Sequence, residues 1–175
     1  MSVLLKPVLV LAACGVLLAQ PPRQPALEEA MRKTGLRVEP FMERARASRE
    51  IRVRLLTRQG PQARVSAELM QRTLRNDPPP RQRSAEMSRD RLLVVVLDAQ
   101  HTVRYWQIAI DPRLIRGEFP DAGGNLHKTE VYRPDAELEI SIPDAVPAAE
   151  IRILAPGWPA VELVLTPVAS VTLPE

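Results

Sequence analysis

Alternating apolar and polar residues define the predicted strands of this chain. Ile51–Leu55 alternates apolar and charged positions with period two, which is typical of a strand with one buried face. Leu92–Leu97 is a continuous apolar run, long enough for a central strand buried on both faces. The same patterns predict further strands at Ala63–Leu74, Thr102–Ile110, Ala136–Ile142, Glu150–Leu154 and Val161–Leu165, the last with an extension from Val168 to Leu173. Turn residues separate these segments, so we predict a mainly β fold, an antiparallel β-sandwich of about seven strands.

Three of these segments carry finer predictions. Ala63–Leu74 fits a strand face or a helix face, and we favour a strand because turn signals lie on both sides. Strict alternation in Thr102–Ile110 places Val103 and Tyr105 on one face. Residues 115–134 show no clear period and contain Gly117, Pro120 and two adjacent glycines, so we predict a long irregular loop there.

The segment before the strands predicts short helices. Pro25–Lys33 has a proline in its first turn, acids early and bases late, and Gly35 is a plausible stop. A second short helix is predicted over Phe41–Ala47, after a proline. We therefore expect residues 20–50 to form a helical or irregular N-terminal arm or tether, and residues 51–175 to form the β-sandwich domain.

An apolar run near the N-terminus predicts export. Pro7–Ala19 follows a basic start and is too short for a membrane span, which needs about 20 residues. Leu11-Ala12-Ala13-Cys14 resembles the lipobox of bacterial lipoproteins, which implies a signal at residues 1–13 and a lipid on Cys14. The other possible cut, which we favour, follows Ala19, makes residues 1–19 the signal peptide and leaves Gln20 as the first mature residue. The predicted locations are the periplasm, the outer membrane through that anchor, or the exterior of a bacterial cell.

Composition predicts an aliphatic core and an uneven charge distribution. The chain is 45% hydrophobic but has only two residues each of Phe, Trp and Tyr, so Val, Leu, Ile and Ala must fill the core. Residues 20–91 contain 17 Arg and Lys against 9 Asp and Glu, whereas residues 92–175 contain 6 against 12. Either a polyanion-binding segment or two complementary surfaces within one molecule would explain this division. The candidate basic stripe consists of Arg44, Arg46, Arg49, Arg52, Arg54 and Arg58.

Motifs for metal or nucleophilic chemistry are missing from the sequence. His101 and His127 are its two histidines, and neither an H-E-x-x-H nor a G-x-S-x-G motif occurs. We therefore predict no metal and no cofactor, and we do not favour an enzyme. A small secreted hydrolase that uses His127 with nearby acids is an alternative.

The stretch after Tyr105-Trp106 is the candidate recognition surface, because binding residues concentrate on loops. By its pattern, this stretch resembles the small β-sandwich domain ahead of the catalytic domain in some secreted bacterial zinc peptidases. That resemblance implies an accessory domain without catalysis. The candidate partner-binding residues are Asp111, Arg113, Arg116, Glu118, Asn125 and His127.

The expected function is a non-enzymatic binding or accessory module for a protein or surface partner of the bacterial envelope. Membrane contact is expected only through the lipid anchor, and nucleic acid is not an expected partner. Besides the hydrolase, a second alternative to this binding module is electrostatic binding of anionic lipid or glycan through the Arg44–Arg58 segment.

Overall fold

A computed structural model describes residues 25–41, 45–58, 64–80, 86–120, 122–157 and 162–174. The predicted signal peptide, Cys14 and Arg44 lie outside these ranges. The described elements are one helix, α1 (Pro25–Lys33), and ten strands: β1 (Arg37–Val38), β2 (Ser48–Arg58), β3 (Arg64–Arg75), β4 (Arg91–Leu97), β5 (Thr102–Ile110), β6 (Leu114–Pro120), β7 (Leu126–Tyr132), β8 (Asp135–Pro143), β9 (Glu150–Gly157) and β10 (Val164–Thr172).

Helix α1 has the bounds that the sequence predicts. It ends before Gly35, whose φ of 81° is the left-handed conformation that favours glycine after a helix. Its apolar side chains, including Leu27 and Met31, are buried against a sheet, although the sequence also allowed a tether here. Of the second predicted helix, residues 42–44 lie outside the described part, and Phe41 and residues 45–47 are not helical.

The chain is mainly β, with sheets packed against each other. A five-stranded sheet has the order β1-β5-β4-β9-β10, and a three-stranded sheet has the order β3-β2-β8. One face of the larger sheet packs on the smaller sheet, and α1 covers its other face. The prediction of a mainly β fold is confirmed, but about seven strands was too few. The described residues hold ten, because β1, β6 and β7 had no clear period in the sequence.

Strand β4 lies at the centre of the larger sheet and is buried on both faces, as predicted. Leu92, Val94 and Val96 point toward the smaller sheet, where they meet Ile51 and Ile140. The alternate residues of β4 point toward α1. Aliphatic residues and one methionine make up the described buried core, as the low aromatic content predicts.

Strand β3 settles the ambiguity at residues 63–74 in favour of a strand. It pairs antiparallel with β2 over its full length. The extended chain allows Val65, Ala67 and Leu69 to pack on the core between the sheets.

Strand β10 begins later than predicted, at Val164, and includes the extension. Pro167 is accepted there because β10 is an edge strand of its sheet and bulges at this position.

The predicted faces of β5 were wrong at one position. A β-bulge separates the pair Val96–Tyr105 from the pair Leu97–Val103. An extra residue in one strand reverses the direction of the side chains beyond it. Val103 therefore packs with Trp106 on the α1 side, whereas Tyr105 faces the core between the sheets.

The prediction of an irregular loop at residues 115–134 was also wrong. Strands β6 and β7 pair antiparallel from Leu114–Tyr132 to Pro120–Leu126 and form a hairpin. The hairpin has little apolar periodicity because neither of its faces belongs to the core, and period is the signal that sequence patterns detect. Gly124, with a φ of 80°, lies in the turn between the strands.

We expect Tyr105 to make the fold sensitive to alkali. Burial raises the pKa of its hydroxyl to about 12 from the usual 10.0. The folded state thus keeps the phenol neutral where the unfolded chain ionises it, so stability is full below pH 10 and falls as pH rises toward 12. Tyr105→Phe should remove about 2 kcal/mol of this decline, measured as the free energy of urea unfolding across that range. Tyr132→Phe, at a half-exposed tyrosine, is the control, and a Tyr105→Phe decline equal to the control's would contradict the assignment.

Candidate binding surface on the β6–β7 hairpin

A buried ion pair lies at the base of the hairpin. Arg113 donates from Nε to Oδ1 of Asp111 at 2.9 Å and from Nη2 to Oδ2 at 2.8 Å. Both residues are 6% exposed. The Arg113 guanidinium also lies 5.9 Å from the centre of the Tyr132 ring, which is within the range of a cation–π contact. A two-point pair of this kind fixes the relative position of both side chains.

Backbone hydrogen bonds join this base to the rest of the protein. The Asp111 amide donates to the Asp90 carbonyl oxygen, just before β4, at 2.8 Å. The Arg133 amide donates to the Arg113 carbonyl oxygen at 2.8 Å, which closes the hairpin. The Thr57 amide donates to the Pro134 carbonyl oxygen at 2.7 Å. Both ends of the hairpin are thereby attached to the two packed sheets.

The strand register gives the hairpin two different faces. Residues opposite each other in an antiparallel pair point to the same face. Arg116 lies opposite Glu130 and Glu118 opposite Lys128, so one face is charged. On the other face Ile115 lies opposite Val131, and Gly117 lies opposite Thr129. We call this second side the uncharged face; its described members are Ile115, Gly117, His127, Thr129 and Val131.

The hairpin extends away from the sheets. Every residue of β7 is exposed, including Val131 at 49%, and Ile115 on β6 is 38% exposed. Within the described ranges, β6 and β7 pack extensively only on each other. A two-stranded hairpin is at best marginally stable in water without a further strand or surface. The uncharged face is therefore suited to be covered by another molecule.

The six predicted partner-binding residues separate into two groups. Asp111 and Arg113 are buried and hold the base of the hairpin. Arg116, Glu118, Asn125 and His127 are exposed on the hairpin or its turn. Arg116 is engaged on the charged face, with Nη1 3.0 Å from Oδ2 of Asp90 and Nε 3.1 Å from Oε1 of Glu130. Prediction missed Ile115 and Val131, which would have been found by treating the glycine-containing turn as a hairpin signal.

The two glutamates of the hairpin strands lie on the face opposite to His127, whose use with nearby acids the hydrolase alternative requires. Glu118 and Glu130 are the acids of β6 and β7, and both point to the charged face. His127 points to the uncharged face, so the hairpin does not bring these groups together.

The histidines and acids show no metal centre where the structure describes the chain. His101 lies in the turn between β4 and β5 with a φ of 56°, and its Nδ1 is 3.3 Å from Oε2 of Glu150. No cluster of three or more potential ligands occurs among the described residues. No helix in the same ranges has the length and apolar character that a membrane span requires.

The predicted basic stripe follows strand β2, where acidic residues lie beside it. Arg54 lies opposite Glu68 of β3 and Glu137 of β8, and its Nε donates to Oδ1 of Asp135 at 2.9 Å. The hydrogen bonds from Arg54 lower the pKa of the Asp135 carboxyl. Arg52 lies opposite Glu139, with its Nε 3.9 Å from that carboxylate. Because neighbouring carboxylates of the sheet neutralise Arg52 and Arg54, these arginines are poorly available to a polyanion.

The other arginines of the stripe are dispersed. Arg49 donates to the carbonyl oxygen of Val146, and burial lowers the pKa of its guanidinium. Arg46 is exposed before the start of β2, and Arg58 is exposed at the other end of the strand. The described members of the stripe therefore do not form one continuous basic surface.

Disruption of the Asp111–Arg113 pair should destabilise the protein strongly. Asp111→Ala leaves a buried guanidinium without its counter-ion, so we expect a loss of about 3–5 kcal/mol in the free energy of unfolding, measured with urea. Arg116→Ala, which breaks exposed ion pairs on the same hairpin, should cost about 1 kcal/mol or less. Equal losses in the two variants would show that the buried pair does not hold the base of the hairpin.

Comparison with known proteins identifies no relative. No family model matches the chain, and no curated protein or solved structure matches it significantly. The resemblances to a lipobox and to an accessory domain of zinc peptidases stay predictions. Inference about function therefore rests on the residues and geometry of this chain.

Proposed function

We propose that this protein is an exported bacterial envelope protein and that its body, an antiparallel β-sandwich, is a non-enzymatic binding or accessory module. The β6–β7 hairpin binds a protein partner through its uncharged face. The exposure of Ile115 and Val131 on a hairpin whose described strands pack mainly on each other is the observation that carries this proposal.

Burial of the uncharged face benefits both the hairpin and the complex. Removing apolar surface from water contributes roughly 25 cal/mol per Å². A partner that packs on Ile115 and Val131 also supplies the packing surface that an isolated hairpin lacks.

A protein partner fits this surface better than an anionic polymer does. The uncharged face carries no arginine or lysine, and the arginines at the centre of β2 lie beside carboxylates. Electrostatic attachment to lipid or glycan through the Arg44–Arg58 segment is therefore the weaker proposal. Direct membrane contact is limited to a lipid on Cys14, and nucleic acid is not a proposed partner.

Export makes a prediction that does not depend on the hairpin. We expect the intact mass of the protein from its own cells to match a chain that begins at Gln20, or at Cys14 with added acyl chains, because the signal peptide is removed. The two masses distinguish a secreted domain from a membrane-anchored lipoprotein. A mass that matches the chain from Met1 would contradict export through a cleaved signal.

Partner binding is tested by site-specific cross-linking in the same cells. A photoreactive amino acid at position 131 should give an adduct of defined mass, and Ile115→Asp in the same chain should abolish that adduct. The matched control is position 70, because Met70 is 51% exposed on the edge strand β3, close to the 49% of Val131.

The outcome at position 70 makes the test specific. Adducts at both positions with the same proteins would reflect general exposure of apolar residues and would contradict a binding role for the hairpin. Circular dichroism of Ile115→Asp should match the wild type, because Ile115 lies outside both hydrophobic core clusters.

A further inference from the structure

A cleft of about 730 Å³ opens at one end of the core between the sheets, beside the base of the hairpin. Strands β2, β3, β4, β9 and β10 contribute to its described walls, together with Arg113 and Tyr132. Its volume lies within the range of about 300–1,000 Å³ that is common for small-molecule sites.

The floor of the cleft is apolar. Leu92 of β4 is buried there, and Val65, Ala155 and Val168 pack on the same core cluster from three other strands. The cleft therefore continues the hydrophobic core toward solvent. An apolar chain inserted here would gain the environment of the core itself.

Arginines dominate the charged part of the wall. Arg64, Arg89, Arg91 and Arg113 line the cleft against a single described acid, Asp111. Asp111 is already paired with Arg113, and neither Arg89 nor Arg91 has a carboxylate partner among the described residues of the wall. This differs from the middle of β2, where Arg52 and Arg54 each lie beside carboxylates.

One further observation indicates that the wall is suited to an anion. Arg91 donates to the Glu86 carbonyl oxygen at 3.3 Å, and neither Arg91 nor Arg89 makes an ion pair with any described residue.

We propose that this cleft binds an anionic amphiphile: a single acyl chain with a carboxylate or phosphate head. The acyl chain lies on the floor formed by Leu92 and its neighbours. The head accepts hydrogen bonds from Arg89 and Arg91, since guanidinium groups suit the two-oxygen geometry of carboxylate and phosphate. This site is distinct from the uncharged face of the hairpin, so either proposal can fail without the other.

The direct test is isothermal titration of the full mature chain with dodecanoate below its micellar concentration. We expect saturable binding of dodecanoate, binding of methyl dodecanoate weaker by at least about tenfold, and no saturable binding of inorganic phosphate. Dodecyl phosphate in a parallel titration identifies the preferred head by its relative affinity. Equal affinity for dodecanoate and its methyl ester would overturn the proposal, as would binding of inorganic phosphate as tight as that of dodecanoate.

Substitution of Arg89 tests the location of the site. Arg89 is exposed, so Arg89→Gln and Arg89→Glu should leave the unfolding transition unchanged while they weaken dodecanoate binding, the first by roughly tenfold and the second by more. The matched control is Arg46→Gln, at an exposed arginine that does not line the cleft. Equal affinities in Arg89→Glu and Arg46→Gln would overturn the assignment of the head group to this wall.

Discussion

Burial of strand β4 on both of its faces is the constraint from which the layered arrangement follows. A strand with apolar side chains on both sides needs a cover on each. The three-stranded sheet supplies one cover and α1 supplies the other, where Leu27 and Met31 meet Leu93 and Val95. The helix is thus part of the folded body, and Lys33 at its end pairs with Glu162, just before β10.

The uneven charge of the two halves of the chain becomes a pattern of local neutralisation in the fold. Basic β2 comes from the first half and acidic β8 from the second, and the two are paired in register. Arg52 and Arg54 therefore lie beside acids that are more than 80 residues away in sequence. Of the two explanations for the charge division, this pairing favours complementary surfaces within one molecule. Exposed pairs of this kind contribute little to stability, but they determine which arginines stay available.

Sequence patterns predicted the elements whose burial is periodic and missed those whose burial is not. Helix α1 and strands β4 and β8 have clear apolar faces, and their predicted bounds closely match the observed ones. The hairpin was missed because solvent lies on both of its sides, which removes any apolar period. The direction of Val103 was missed because a bulge is a property of strand pairing, not of one strand. Asp111 and Arg113 look like surface charges in sequence, since only the fold shows that both are buried. The cleft was equally hidden, because its walls come from strands far apart in the chain.

The Asp111–Arg113 pair has a consequence for how this protein can evolve. This buried pair and the backbone hydrogen bonds beside it hold the base of the hairpin. The packing of the sheets therefore does not depend on which residues form β6 and β7. Exposed loop tips tolerate insertion and sequence change best. Residues beyond Leu114 and before Tyr132 can therefore diversify in length and composition while the sheets keep their packing. The same body can therefore carry hairpins of different length and composition.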